Sequence, residues 1–106
     1  MGCYKDGPAR AIPELEGTDP ILDGDYINRQ NAIVKCAVAA RRKDFKMFAL
    51  QDGGWCASSA TAWDTFYKYD QSPDCKEDGK GGGWANNVYV FQKEEKCKFF
   101  EWYTKT

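Results

Sequence analysis

The chain has 106 residues, room for one domain of common size, and its 15 Lys and Arg nearly balance 16 Asp and Glu. Without a basic stripe we expect no nucleic-acid partner, and no apolar run reaches the roughly 18 residues of a membrane-spanning helix. Histidine is absent, which excludes Ser-His-Asp and Cys-His catalysis. The carboxylate pairs Glu14 with Glu16 and Glu94 with Glu95 are interpreted as solvated surface, so the sequence does not predict an enzyme.

The cysteines are widely spaced and indicate a disulfide framework. They are Cys3, Cys36, Cys56, Cys75 and Cys97, with no CxxC pair among them. Because zinc sites usually need close ligand pairs and commonly use histidine, structural zinc is not expected. Disulfides persist in oxidising compartments, so we expect a secreted, extracellular protein whose leader has been removed.

The first half of the chain predicts one strand, one irregular loop and one helix. Residues 2–5 are expected to form the strand, and the scattered Pro and Gly residues of 10–28 indicate an ordered loop. Asn31 is the predicted cap of a helix over 32–43, in which apolar residues recur at helical spacing. Cys36 lies on the inward face of this helix.

The second half predicts further strands and a short helix around a long loop. The expected elements are strands over 46–51, 55–57 and 88–92, a helix capped by Ser58 or Ser59 and ending near Tyr69, a loop over 71–87, and a last strand over 97–104. Residues 1–106 are therefore expected to form a single α+β domain. One main helix packs on a small antiparallel sheet, with disulfide staples and long loops.

The positions of the cysteines on these elements predict two disulfides, although four cysteines allow three connectivities. Cys36 on the buried helix face is expected to pair with Cys56 on a core strand, and Cys3 with Cys75 in the long loop. Cys97 is then left over. We expect its thiol to be free within the monomer, where neighbouring lysines favour the thiolate, or to join two chains.

Several short motifs, in this order, resemble a family of cysteine-rich extracellular modules. They are Gly2-Cys3-Tyr4-Lys5-Asp6, Lys35-Cys36-Ala37, Phe48-Ala49-Leu50-Gln51, Gly53-Gly54-Trp55-Cys56 and Gly82-Gly83-Trp84-Ala85-Asn86-Asn87-Val88-Tyr89. The pattern covers about residues 2–91 and resembles WSC domains, with some likeness to PAN/apple domains. Such modules recur in secreted and membrane-anchored proteins of marine invertebrates. The resemblance implies an extracellular adhesion or carbohydrate-recognition role.

Two loops offer enough carboxylates to raise the question of calcium. Asp19, Asp23 and Asp25 lie in one loop, and Asp70, Asp74 and Asp78 lie in another. Neither set has the spacing of an EF-hand, and aspartate is common in turns for local hydrogen-bonding reasons. We therefore predict no cofactor or metal, and bound calcium is the alternative.

The candidate ligand-binding residues combine aromatic faces with amide and carboxylate groups. Trp84 is followed by Asn86 and Asn87, while Trp55 lies near Gln51 and Asp52 in sequence. Stacked indoles and polar groups that bond hydroxyls are what a sugar site needs. The competing interpretation places both indoles in the core. The predicted function is a lectin-like extracellular module that binds a glycan or glycoprotein. The alternative is a structural or protein-interaction role, as a matrix component or a toxin-like effector.

Overall fold

The computed structural model describes residues 2–91 and shows an α+β fold in which one main helix packs on a four-stranded antiparallel sheet. This confirms the predicted fold class. The elements in chain order are β1 Gly2–Lys5, a short 3₁₀ helix Pro20–Leu22, α1 Ala32–Arg42, β2 Met47–Gln51, β3 Trp55–Ala57, α2 Ala62–Thr65 and β4 Ala85–Val90. The strand predicted over 97–104 and the thiol of Cys97 lie outside the described residues. Within residues 2–91, no helix has the length and apolar character needed to cross a bilayer.

The sheet has the strand order β1-β4-β2-β3, so β4 and β2 are its two central strands. All five residues of β2 are buried. Phe48 and Leu50 belong to the core beneath α1, whereas Met47 and Ala49 belong to the core on the opposite face. This alternation is the two-residue period of a strand, and it shows that both faces of the sheet are covered.

The helix predicted over 32–43 is present as α1, but its start differs from the prediction. Asn31 occupies the cap position with a left-handed backbone, φ 53°, and its side chain makes no capping hydrogen bond. The predicted Asn31 cap is therefore wrong, because a capping side chain needs an extended backbone at that residue. Cys36 and Ala37 are fully buried on the inward face, as the helical spacing predicted.

The second helix is shorter than predicted, since α2 spans only Ala62–Thr65. The Ser58 hydroxyl donates to the Met47 carbonyl, so it serves the core and does not cap the helix. Ser59 Oγ accepts from the backbone N–H of Thr61 at 3.3 Å, ahead of the first helical residue. Residues 66–69 form a turn, where the sequence predicted further helix. In this turn Phe66 packs edge-on against Tyr4, with ring centroids 4.9 Å apart.

The last described strand begins earlier than predicted, at Ala85 and not at 88. Its first residues pair with β1, in the register Cys3 opposite Asn87 and Tyr4 opposite Asn86. The other edge of β4 pairs with β2, with Val88 opposite Ala49. Asn86 and Asn87 therefore belong to a central strand, and their assignment to a loop is wrong.

Two intramolecular disulfides join the elements, and they are the two pairs that the sequence predicted. Cys3 is bonded to Cys75 and Cys36 to Cys56. The first bond ties β1 to the segment between α2 and β4, and the second ties α1 to β3. Together they hold the helix and the long loop against the sheet.

Candidate functional site

A surface pocket of about 170 Å³ lies at the end of the β2–β3 hairpin. We name it the Trp84 pocket, and its lining residues are Arg10, Tyr26, Gln51, Asp52, Trp55 and Trp84. The structure thus brings together four of the six side chains predicted to bind ligand. Three of them lie in or beside the hairpin turn, and Trp84 directly precedes β4. The structure adds Arg10 and Tyr26, which the sequence analysis did not identify.

The hairpin turn that forms the pocket floor depends on glycine. Asp52 and Gly53 both have positive φ, 53° and 93°. A Cβ on Gly53 would lie 2.8 Å from the Ile27 carbonyl oxygen, and one on Gly54 would meet the Tyr26 carbonyl. Only glycine allows this close backbone approach, which brings the segment carrying Tyr26 to the pocket wall.

Trp84 is presented to solvent by a tight backbone arrangement just before β4. Its own φ is 53°, a conformation that is uncommon for a bulky side chain. Gly82 and Ala85 exchange backbone hydrogen bonds of 3.0 and 3.2 Å on either side of it. Trp84 is 50% exposed, so the competing interpretation that places it in the core does not hold.

The guanidinium of Arg10 lies between the two tryptophan side chains. Its Cζ is 4.2 Å from the centroid of the Trp55 ring and 4.6 Å from that of Trp84. Trp55 is only 6% exposed, and its Nε1 donates to Glu14 Oε1 at 3.2 Å. Trp55 is therefore largely a core side chain that reaches the pocket with one part of its ring, while Trp84 supplies the open aromatic surface. Contacts of this kind contribute about 0.5–2 kcal/mol each.

Arg10 is held in place by the buried carboxylate of Asp6. Arg10 Nη1 donates to Asp6 Oδ2 at 2.8 Å, Gln51 Nε2 donates to the same oxygen at 3.0 Å, and the Ala11 N–H donates to Oδ1 at 2.9 Å. Burial by itself raises the pKa of Asp6, but hydrogen bonds from Ala11, Arg10, Gly7 and Gln51 outweigh it and hold that pKa below its usual value. Asp6 is therefore ionised at neutral pH and forms a neutral pair with Arg10.

The same carboxylate determines which way the Gln51 amide points. An ionised carboxylate only accepts, so the nitrogen of Gln51 must face Asp6 and its Oε1 must point away. No hydrogen bond to this Oε1 occurs among residues 2–91, although Gln51 is 97% buried and lines the pocket. The pocket thus contains an acceptor that no described group of the protein satisfies.

Asn86 and Asn87 do not line the pocket, contrary to the predicted site. Asn86 is fully buried, and its Oδ1 accepts from Gln51 Nε2 at 3.3 Å. Asn87 Oδ1 accepts from the Gly81 N–H at 2.7 Å and so anchors the glycine-rich loop. Both lie within β4, where their amide oxygens accept hydrogen bonds from the protein itself, whereas Asn86 Nδ2 is buried without a hydrogen-bond partner among residues 2–91.

The residues that sequence reasoning missed come from segments remote from the hairpin. Asp6 and Arg10 follow β1, where Asp-Gly-Pro indicated only a turn. Tyr26 lies in the irregular segment, with no motif around it. No local pattern identifies these three residues, because their role depends on the packing of both segments against the hairpin.

The arrangement suits reversible binding of a small polar ligand. Its lining combines the half-exposed indole of Trp84 with the polar side chains of Arg10, Tyr26, Gln51 and Asp52. In the part of the chain that the structure describes, no group of three or more Cys, Asp or Glu side chains could hold a metal ion. Comparisons with protein-family models, with curated proteins and with solved structures find no match to this chain.

Proposed function

We propose that this protein is a secreted extracellular module that binds a glycan or the glycan of a glycoprotein in the Trp84 pocket. The observation that carries the proposal is the half-exposed indole of Trp84, held against Arg10 beside the Asp52 carboxylate. A sugar ring presents C–H groups to an aromatic face and hydroxyls to polar groups around it. The pocket offers both kinds of partner within one small volume.

The size and polarity of the pocket agree with a single sugar residue. Its volume of about 170 Å³ is below the roughly 300–1,000 Å³ of pockets for drug-sized ligands. Sugar hydroxyls both donate and accept, and the pocket provides the Arg10 guanidinium as donor with Asp52 and Gln51 Oε1 as acceptors. A longer glycan would place one residue in the pocket and extend across the surface.

The extracellular space is the compartment that best suits this chain. Two intramolecular disulfides connect distant elements, and such bonds form and persist outside the reducing cytosol. The likeness of residues 2–91 to WSC and PAN/apple domains supports the same assignment as a hypothesis of kinship. An adhesion or recognition role would follow from that kinship.

A glycan array probed with the oxidised protein tests the proposal, with Trp84→Ala as the disrupting variant. We expect the substitution to weaken binding by about 1–3 kcal/mol, the size of an interface hot spot. The matched control is Trp63→Ala, because Trp63 is 53% exposed and lies outside the Trp84 pocket. Both variants should remain folded. Truncating a half-exposed indole removes less buried surface than truncating a core tryptophan, which costs roughly 3–5 kcal/mol of stability. Equal glycan binding by Trp84→Ala and wild type would contradict the proposal.

A protein-interaction role is the second candidate, and one feature of the surface favours it. Trp63 and Tyr67 are exposed aromatic side chains on and just after α2, with Phe66 packed between their rings. Aromatic residues are enriched at protein interfaces. If the array shows no glycan and a protein ligand is lost in Trp63→Ala but kept in Trp84→Ala, this second role replaces the first.

A further inference from the structure

We infer, building on the proposed function, that the Trp84 pocket selects sugars that carry a protonated amine over N-acetylated and acidic sugars. The reason is the distribution of charge around the pocket. One cation, Arg10, lines it together with one carboxylate, Asp52, and the two do not compensate each other.

The charge of Arg10 is already neutralised within the protein. Its guanidinium forms an ion pair with Asp6, whose side chain is completely buried, while Arg10 is 35% exposed. The two indoles stack on the guanidinium at 4.2 and 4.6 Å. A ligand carboxylate would therefore meet a cation that is already paired, and it would gain little from it.

The carboxylate of Asp52 has no such partner. Asp52 is exposed at the hairpin turn, and among residues 2–91 its side chain takes part in no ion pair or hydrogen bond. With the Arg10–Asp6 pair neutral, Asp52 carries the one uncompensated charge among the described residues that line the pocket, which favours a cationic ligand and repels a uronate.

Hydrogen bonding favours the same ligand class. An ammonium group has three donors and no acceptor. The groups without partners in the pocket include Gln51 Oε1 and both oxygens of Asp52, all of them acceptors. The half-exposed indole of Trp84 adds attraction for a cation. An acetylated nitrogen would lose its charge and two of its donors.

The experiment compares three trisaccharides by calorimetry with the oxidised protein: glucosamine, N-acetylglucosamine and galacturonate oligomers. We expect the glucosamine trimer to bind tightest, by about twofold to fivefold over the N-acetylated one, as for an exposed ion pair. Salt at about 1 M should reduce that ratio, because the pair is solvent-accessible. Asp52→Asn should bring the ratio toward one. Asparagine tolerates the positive φ of this position, so the backbone is kept.

Asp64→Asn is the matched control, because Asp64 is an exposed aspartate on α2, outside the lining of the pocket. It should leave the preference for glucosamine unchanged. If the N-acetylated or the acidic trimer binds as tightly as glucosamine, and Trp84→Ala abolishes that binding, the selectivity is overturned while the glycan-binding function stands. If none of the three and no glycan on the array binds, the proposed function fails and the selectivity fails with it.

Discussion

Replacing Asp6 by Asn tests the polar network behind the Trp84 pocket. The hydrogen bonds that the buried carboxylate accepts include those from Arg10 at 2.8 Å, from Ala11 N–H at 2.9 Å and from Gln51 at 3.0 Å. An asparagine amide has one oxygen and one nitrogen in these places. In either orientation, its NH₂ group faces at least one donor.

The expected loss of unfolding free energy at pH 7 is about 2–3 kcal/mol. Breaking a fully buried ion pair removes about 3–5 kcal/mol, but Arg10 is one-third exposed and water can solvate it after the change. The remaining loss comes from the donor that faces the new NH₂ group in the buried network, for which about 1–3 kcal/mol is typical. Asp64→Asn, at an exposed position, should change stability by less than about 0.5 kcal/mol.

The pH dependence gives a sharper test of the same residue. Because the folded-state pKa of Asp6 lies below its usual value, its ionised form stabilises the fold above the unfolded-state pKa of about 4. This contribution is lost as the pH falls through the folded-state pKa. Wild type should therefore lose stability as the pH falls below about 4, and Asp6→Asn should lose less over the same range.

Urea unfolding of both proteins at pH 7 and near pH 2.5 measures the effect. The difference between wild type and Asp6→Asn should shrink at the lower pH. An equal difference at both values would refute the reasoning, since it would mean that the carboxylate charge contributes nothing and that only shape matters at this position.

Three further outcomes concern the cysteines. Replacing Cys3 and Cys75 together by Ala should lower the free energy of unfolding by about 4 kcal/mol, and replacing Cys36 and Cys56 together by Ala should lower it by about 3 kcal/mol. The first loss is larger because the two bonds close loops of 72 and 20 residues. Urea unfolding measures both losses, and the reverse order would contradict the loop-entropy argument. With these four cysteines paired, Cys97 has no partner left within the chain. Intact-mass analysis of the unreduced protein should find either one thiol that reacts with iodoacetamide or a reducible dimer, and a monomer without a reactive thiol would contradict this assignment.

Local pattern was sufficient to predict much of the fold. Apolar residues at helical spacing predicted α1, and the runs at 46–51 and 55–57 correspond to β2 and β3, whose bounds differ by one residue at most. The disulfide pairing followed from the same reasoning. An inward-facing Cys36 and a strand cysteine beside the core have few other partners within reach, and the structure shows that pair.

The sequence was not sufficient to predict the structure where tertiary contacts or backbone geometry oppose the local preference of a residue. Trp-Ala-Asn-Asn resembles a loop because asparagine is rare in strands, yet β1 and β2 pair with both edges of this segment and make it a central strand. Asn31 has the residue type of a helix cap but a backbone that cannot place its side chain as one. In both places tertiary pairing or local geometry overrides residue preference.

The candidate site divides in the same way. Gln51, Asp52 and Trp55 were identifiable because a tight hairpin keeps them together, and Gln51 pairs directly with Trp55. The position of the Arg10 guanidinium between two indoles was not identifiable from the sequence. Arg10, Trp55 and Trp84 are far apart in the chain and meet only in the folded structure. Sequence by itself determined the helix, the core strands and the disulfide frame, because these depend on short-range periodicity. Only the tertiary structure decided which polar groups line the Trp84 pocket, because hydrogen-bond partners such as Asp6 and Gln51 are separated by 45 residues of chain.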